Sequence, residues 1–520
     1  MDGSLGHVSA APTLPRSGTA YSVDLDVADL YSDPESVGTG RTSLPEKLRQ
    51  AYFWITNHAI ISPHYDIEFE DGPSRRIRLG DSKAELVLPS GQSYSSFVLL
   101  PLLTFMVRGR CLLVGGPGRG KTASSLLMGV LAGYSAREMR RAMQHGHPQL
   151  TVNDLFGSPL PRDLVHAQRL GDIEVAWRSW LGMRVKIVDE YNRIPTRTQS
   201  ALLTVLADGY VESFDQVFET GSSAWYLTAN DDAGGGTYHV IEALRDRIDV
   251  VVPALPFNNR FLSALIERAE RRIRPEDAVP ESIVFDEAEH DRLHREVLAV
   301  EFGAEVRRRL EFFAGQFEFL ERAGRQFEYR TKDTARLAGV DPHLVLLDDT
   351  GRDALADVGT QTLSGLSVRS LQSLILYSKA MAYFRGRAAV ELDDLRAILP
   401  FVLLQKLAAD PQARVFDDEG ELRADRISWL RTMFDTTCRQ FDALGMGLDD
   451  PVAKLLAEFE AGLDGVGESA VRDRLTEIER VLDGWSAQGK LHGHLYDDAL
   501  ALKYLHQRYL NYLAWLQWSK

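Results

Sequence analysis

Cysteine is nearly missing from this sequence: 520 residues hold two, Cys111 and Cys438. At most one bridge can form, so a reducing compartment, and with it a cytoplasmic location, is the expectation. Long apolar runs are missing too. The best candidate for a membrane span, Phe97 to Val107, is broken by Pro101 and closed by Arg108 and Arg110, far short of the roughly 20 residues a bilayer needs. No basic-then-apolar signal pattern opens the chain. Nor is there a positive surplus. Lys and Arg number 59 against 74 Asp and Glu, a formal net charge of −15, opposite to the usual balance of a protein that grips phosphate backbones. No fixed-period repeat is visible.

What is there is ordinary for a folded chain: 44% hydrophobic and 26% charged residues, which excludes collagen, a coiled-coil rod and wholesale disorder. Texture divides the chain into five parts. Residues 1–43, rich in Gly, Ser, Pro, Ala and Asp, read as a flexible tail. In 44–96, a helix with apolar Leu48, Tyr52 and Ile55 on one stripe is followed by short alternating runs, a small antiparallel β element. From 97 to 256 apolar strands alternate with amphipathic helices, which predicts a parallel sheet flanked by helices. Residues 257–410 are helical with an irregular insertion at 324–362, and 411–520 are helical again.

The sharpest local signal is "CLLVGGPGRGKTASSLLMGVLAG". An apolar strand leads into Gly115-Gly116-Pro117-Gly118-Arg119-Gly120-Lys121-Thr122 and a helix follows, the Walker A pattern of a phosphate-binding loop. Its glycines turn backbone N–H groups inward, and the helix start adds a positive dipole end. Lys121 is placed to reach the β- and γ-phosphates and Thr122 to hold Mg²⁺. A second strand ends in Asp189-Glu190, in the crevice where parallel sheets bind ligands. Asp189 suits the metal and Glu190 suits the role of general base toward water. Lys186 interrupts the apolar run of that strand. A third strand, "SAWYLTAND", ends in Asn230, an amide able to orient water. Then "EALRDRIDVVV" sets Arg245 and Arg247 before a fourth strand, where an arginine can reach a neighbouring subunit's nucleotide. Taken alone, Asn230 is a turn residue and each arginine a surface ion-pair partner.

Together these blocks resemble an AAA+ ATPase, and within that class the MoxR family. The carriers are "GGPGRGKT", "DEYNRIPTRTQSALLTVLADG", "LTAND", "ALRDRID" and "GLSVRSLQSLILYSKAMAYFRGRAAVELDDLRAILPFVL", spanning about 97–410. Tyr191 and Ile194 depart from the family pattern. The resemblance implies an α/β AAA+ P-loop module over 97–256 and an all-α lid over 257–410. Gly115 to Thr122 and Asp189 would bind ATP, with Thr122 and Asp189 on Mg²⁺ and Glu190 as base. Asn230 would be the first sensor, Arg247 (or else Arg245) the arginine finger, and Arg369 the second sensor, swinging from the lid onto the γ-phosphate. It also implies a homo-oligomer, a hexameric ring, acting as a chaperone on a protein client through a von Willebrand factor A domain adaptor.

Other features carry less. Asp348, Asp349, Asp353 and Asp357 lack calcium-loop spacing. His145 and His147 read as a surface turn. Leu505, Tyr509, Leu513 and Leu516 share one face of the last helix, with Trp515 and Trp518 partly off it, which suits docking on the protein's own core or on a partner groove. Two other functions stay open beside the client-remodelling ring: a nucleic-acid-dependent AAA+ motor, opposed by the acidic balance, and an ATP-switched scaffold with little turnover, opposed by an intact Glu190.

Overall fold

The computed structural model describes residues 43–518, apart from 62–63, 81–84, 167–168, 170, 172, 231–241, 273, 348–356, 448–449 and 489–492. The tail read over 1–43, Ser43 apart, and the acidic residues Asp348, Asp349 and Asp353 lie outside the described residues.

Five parallel strands form the centre: β1 (Arg110–Val114), β2 (Gln144–His145), β3 (Val185–Asp189), β4 (Ala224–Ala229) and β5 (Val250–Pro253), in the order β5-β1-β4-β3-β2. Helices cover both faces, so inner strands are buried on both sides rather than alternating; all six residues of β4 are buried. The register sets strand ends level. Ala229 pairs with Val114 and Leu227 with Val188, and the Gly115 N–H reaches Ala229 O at 3.3 Å. The residues following β1, β3 and β4 therefore emerge side by side.

Helix α1 (Leu44–Trp54) follows the expected stripe: Leu48, Tyr52 and Ile55 are fully buried. The β element after it is two separate ladders, Ile67–Glu68 with Ser93–Tyr94 and Arg75–Arg78 with Glu85–Leu88. The apolar run at 97 opens the core with α2 (Ser96–Val107), a helix buried at every position. It shows no 3.6-residue pattern because no side of it meets water. Helices α3 (Lys121–Leu131), α4 (Thr196–Asp208) and α5 (Glu242–Arg247) belong to the sheet layers, and α6 (Leu262–Arg271) follows β5. The lid centres on α7 (Val368–Phe384) and helix Leu392–Leu403, whose buried residues share one core with α1 and α2.

The insertion carries two short helices, Lys332–Leu337 and Pro342–Leu347. It is pinned by the buried Lys332, whose ammonium donates to Gly359 O and Thr362 Oγ1, both at 2.8 Å. The last helical region is divided. Arg426–Ala443 joins the main core through Trp429, Leu430, Met433 and Phe434. Helices Pro451–Glu460, Glu468–Gln488 and Gly493–Trp518 enclose a core of their own, including Leu505, Tyr509 and Leu513, while Trp515 and Trp518 are exposed. No described helix is long and apolar enough to cross a membrane.

Candidate active site

The loop after β1 is shaped by glycine. Gly118 and Gly120 sit at φ +72° and +80°, in the left-handed region, and Gly120 caps α3. At Gly115 (φ +152°) a Cβ would stand 2.8 Å from Ala254 O, so any side chain would push the loop off β5. Lys121, the first residue of α3, folds back over the loop. Its ammonium donates to Gly115 O (2.7 Å), Gly116 O (2.8 Å) and Asn230 Oδ1 (3.0 Å). Pro117 to Gly120 are exposed, and the Arg119 guanidinium turns aside to Ala254 O at 2.7 Å.

The carboxylates stand opposite. Asp189 ends β3 and accepts from the Thr122 hydroxyl at 3.0 Å and the Thr228 hydroxyl at 2.6 Å. Glu190 follows at φ +52°, unusual for a residue with a side chain. Its N–H donates to Thr228 Oγ1 at 3.0 Å. Its carboxylate accepts from Asn230 Nδ2 at 2.8 Å and from Arg193 Nη1 at 2.9 Å. The chain of contacts Lys121–Asn230–Glu190–Arg193 thus links the phosphate loop to the carboxylate. Thr122 and Asp189 offer converging hard oxygens. Among the described residues no cluster of three or more acidic, His or Cys side chains could cage a metal, and two oxygen donors fit an ion that keeps waters and phosphate oxygens, as Mg²⁺ does.

Several neighbours were not singled out in the sequence. Thr228 and Arg193 are bonded as above. His145, read as a surface turn, lies on β2, with Nδ1 3.6 Å from Asp189 Oδ2. The segment before residue 97 also enters the site. Ile60, Asp66 and Phe97 wall a cavity with Gly118 to Gly120 of the loop, Leu255 after β5 and Leu265 of α6. That wall is held by His64 Nε2 at Pro256 O (2.9 Å), by Arg268 donating to Ala59 O (2.7 Å) and by the Ser96 N–H donating to Asp66 Oδ1 (2.8 Å).

The arginines lie elsewhere. Arg245 and Arg247 sit on α5, and Arg247 Nη1 donates to Ala243 O at 3.0 Å. Arg369 does not face the Walker A loop of its own chain. Its guanidinium pairs with Asp246 at 2.9 Å, and the Ser367 hydroxyl donates to the same carboxylate at 2.6 Å. Burial raises the Asp246 pKa, but the bonds from Ser367 and Arg369 outweigh it and hold the carboxyl below its usual range. Asp249, just before β5, accepts from the Ser373 hydroxyl (2.7 Å) and from the N–H of Arg110, the first residue of β1 (2.8 Å). The group therefore stands at the N-terminal ends of the strands, while the phosphate loop leaves their C-terminal ends. Five residues of strand separate the two by about 16 Å. Arg247, Arg369 and Arg110 line one cavity there. The expected swing of Arg369 onto the γ-phosphate does not fit this arrangement within one chain.

Parallel sheet, glycine loop and the helix that starts at Lys121 together make a P-loop α/β module, with a helical region after it. Residues 356–424 match the family described as AAA lid domain. Among solved structures, a putative ATPase from Cytophaga hutchinsonii ATCC 33406 is similar at 20% identity, covering 66% of this chain and 89% of that one with a TM-score of 0.45. A full-length MCM homolog from Methanopyrus kandleri is similar at 16% identity, covering 59% of this chain and 55% of that one with a TM-score of 0.34. No curated protein matches the chain.

Proposed function

We propose that this chain hydrolyses ATP with Mg²⁺ as one subunit of an AAA+ ring and uses the cycle to remodel a protein client, in the manner of a MoxR-type chaperone. The observation that carries the reading is the contact chain from Lys121 through Asn230 to Glu190, beside the Thr122–Asp189 pair. Lys121 already rests among acceptors and would exchange them for the β- and γ-phosphate oxygens. Asn230 then keeps one hand on Glu190 and can turn the other to the attacking water. Glu190 takes the proton of that water as its oxygen attacks the γ-phosphorus, and the β–γ bridging oxygen leaves with ADP. A Mg²⁺ ion held by Thr122 and Asp189 supplies charge neutralisation on the phosphates. The cavity walled by Ile60, Phe97 and Leu265 would take the base.

Arg247 (or else Arg245), with Arg369 lining the same cavity as Arg247, would act on the nucleotide of the adjacent subunit, since the loop of its own chain is a strand length from that cavity. The client, and a von Willebrand factor A adaptor between it and the ring, rest on the MoxR resemblance alone. The test is ATP turnover measured across protein concentration. The specific rate should rise with assembly, and Glu190→Gln should bind ATP but turn over at least about 10²-fold more slowly. A rate within a few-fold of the parent would remove Glu190 from the role of base.

A further inference from the structure

Helix α6 has no buried residue. It presents Phe261, Leu262 and Ile266, 41–49% exposed, beside Leu255, Phe257 and Leu265, which wall the cavity next to the phosphate loop. A contiguous apolar patch of this kind on a folded chain marks an interaction site. Arginines rim it: Arg260, Arg272 and Arg274 are exposed. At the other end of the sheet an open groove carries the opposite character. Val205, Leu206 and Val217 line it with Asp208, Glu212 and Glu219, and all three acids are exposed. The two arginines in the groove are already engaged, Arg108 with Asp291 and Arg110 with Asp249. The groove runs into the cavity of Arg247 and Arg369, sharing Arg110 and Asp208 with it.

We propose that α6 of one subunit seats in the 205–219 groove of the next, its apolar face against the exposed Val217 and its arginines against Asp208, Glu212 and Glu219. The occupant is a second copy of this chain for three reasons. The exposed Arg260, Arg272 and Arg274 flanking α6 match the groove's three acids, and Val217 offers the helix an exposed apolar side chain. Leu265 and Arg268 of α6 wall the cavity beside the phosphate loop, so a surface that covers the nucleotide covers α6. The groove abuts Arg247, the group the site lacks within one chain. The contact is head-to-tail, using two different patches of the same chain, as a closed ring requires. This docking rests on the ring reading and names its contact surface.

The experiment is sedimentation with ATP, read beside turnover and binding of a fluorescent ATP analogue. Reversing Arg260→Glu, Arg272→Glu and Arg274→Glu together should raise the concentration needed for assembly at least about 10-fold, because like charges then face each other. Leu262→Asp should act in the same direction from the apolar side. Unchanged analogue binding reports that both variants are folded. Adding Asp208→Arg, Glu212→Arg and Glu219→Arg to the reversed chain should restore assembly. If the α6 variants assemble like the parent, or the double reversal does not restore assembly, this docking is wrong while the ring stands. If the parent itself stays monomeric with ATP and Arg247→Ala turns over at the parent rate, the ring reading fails and the docking with it.

Discussion

Glu190 shows how much of this site is set by single residues. Its backbone is left-handed at φ +52°, which turns the side chain out of the strand line and toward Asn230 and Arg193. The sequence displayed the residues that stand in a local pattern: Gly115 to Thr122, Asp189, Glu190 and Asn230 all lie at the end of an apolar strand or just after it. Thr228 and His145 were illegible because their value comes from contacts with residues outside their own motif or strand, such as His145 beside Asp189; Arg193 was passed over although it bonds Glu190 three residues before it. Lys186 was legible as an anomaly only. It is fully buried, yet its ammonium donates to Met183 O at 2.6 Å and Thr220 O at 3.3 Å and faces the Trp225 ring. Burial pushes its pKa down to about 7, against roughly 10.4 in an unfolded chain. Between those values the unfolded chain binds the extra proton, so this lysine's contribution to stability is full above about pH 10 and is lost as pH falls through about 7. Lys186→Met should therefore be more stable than the parent at pH 7 by about 1–3 kcal/mol, after discounting the lost carbonyl bonds. The gap should close toward pH 10. Parallel melting curves of parent and variant with no pH-dependent difference would show that the ammonium is not strained by burial.

At the scale of elements, the alternation that suggested a parallel sheet was readable because each inner strand is a short apolar run bounded by glycine or charge. Helix α2 was not, since a segment buried on all sides loses its period. The two-ladder arrangement before it was also hidden, because the partner of Ile67–Glu68 is Ser93–Tyr94, a pair too short to show alternation. The helical end of the chain could be read as helical but not divided. Division depends on which core each helix enters, and only packing reveals that Trp429 joins the main core and Leu502 the small one. The small core predicts independent loosening. Leu502 is fully buried, and Leu502→Ala should destabilise the 451–518 bundle by about 2–5 kcal/mol. Hydrogen exchange should then accelerate across 451–518 while β1, β3 and β4 keep their protection. Equal acceleration in the sheet would mean that bundle and module unfold as one.

At the scale of the whole molecule, the proposed phosphate site and the proposed arginine group sit apart on the sheet. The phosphate loop, Asp189, Glu190 and Asn230 lie at one end of the sheet, and Arg247 and Arg369 line a cavity at the other, the latter bound to Asp246. The sequence placed these residues in the right order but could not say which end of the sheet each would reach, and so Arg369 was expected over the γ-phosphate. Under the proposed ring, Arg247 acts on a neighbour's nucleotide because its own loop is a strand length away, so assembly is what must be tested. The measurement that meets it most directly mixes two inactive variants. Lys121→Ala should lose ATP binding but keep its arginines. Arg247→Ala should bind ATP as the parent does and turn over on the order of 10³-fold more slowly. Mixed in equal amounts, they should hydrolyse ATP faster than either alone, because an intact loop then meets an intact arginine across a boundary. If Arg247→Ala alone turns over at the parent rate, and Arg245→Ala does too, catalysis needs no neighbour's arginine and the account is contradicted.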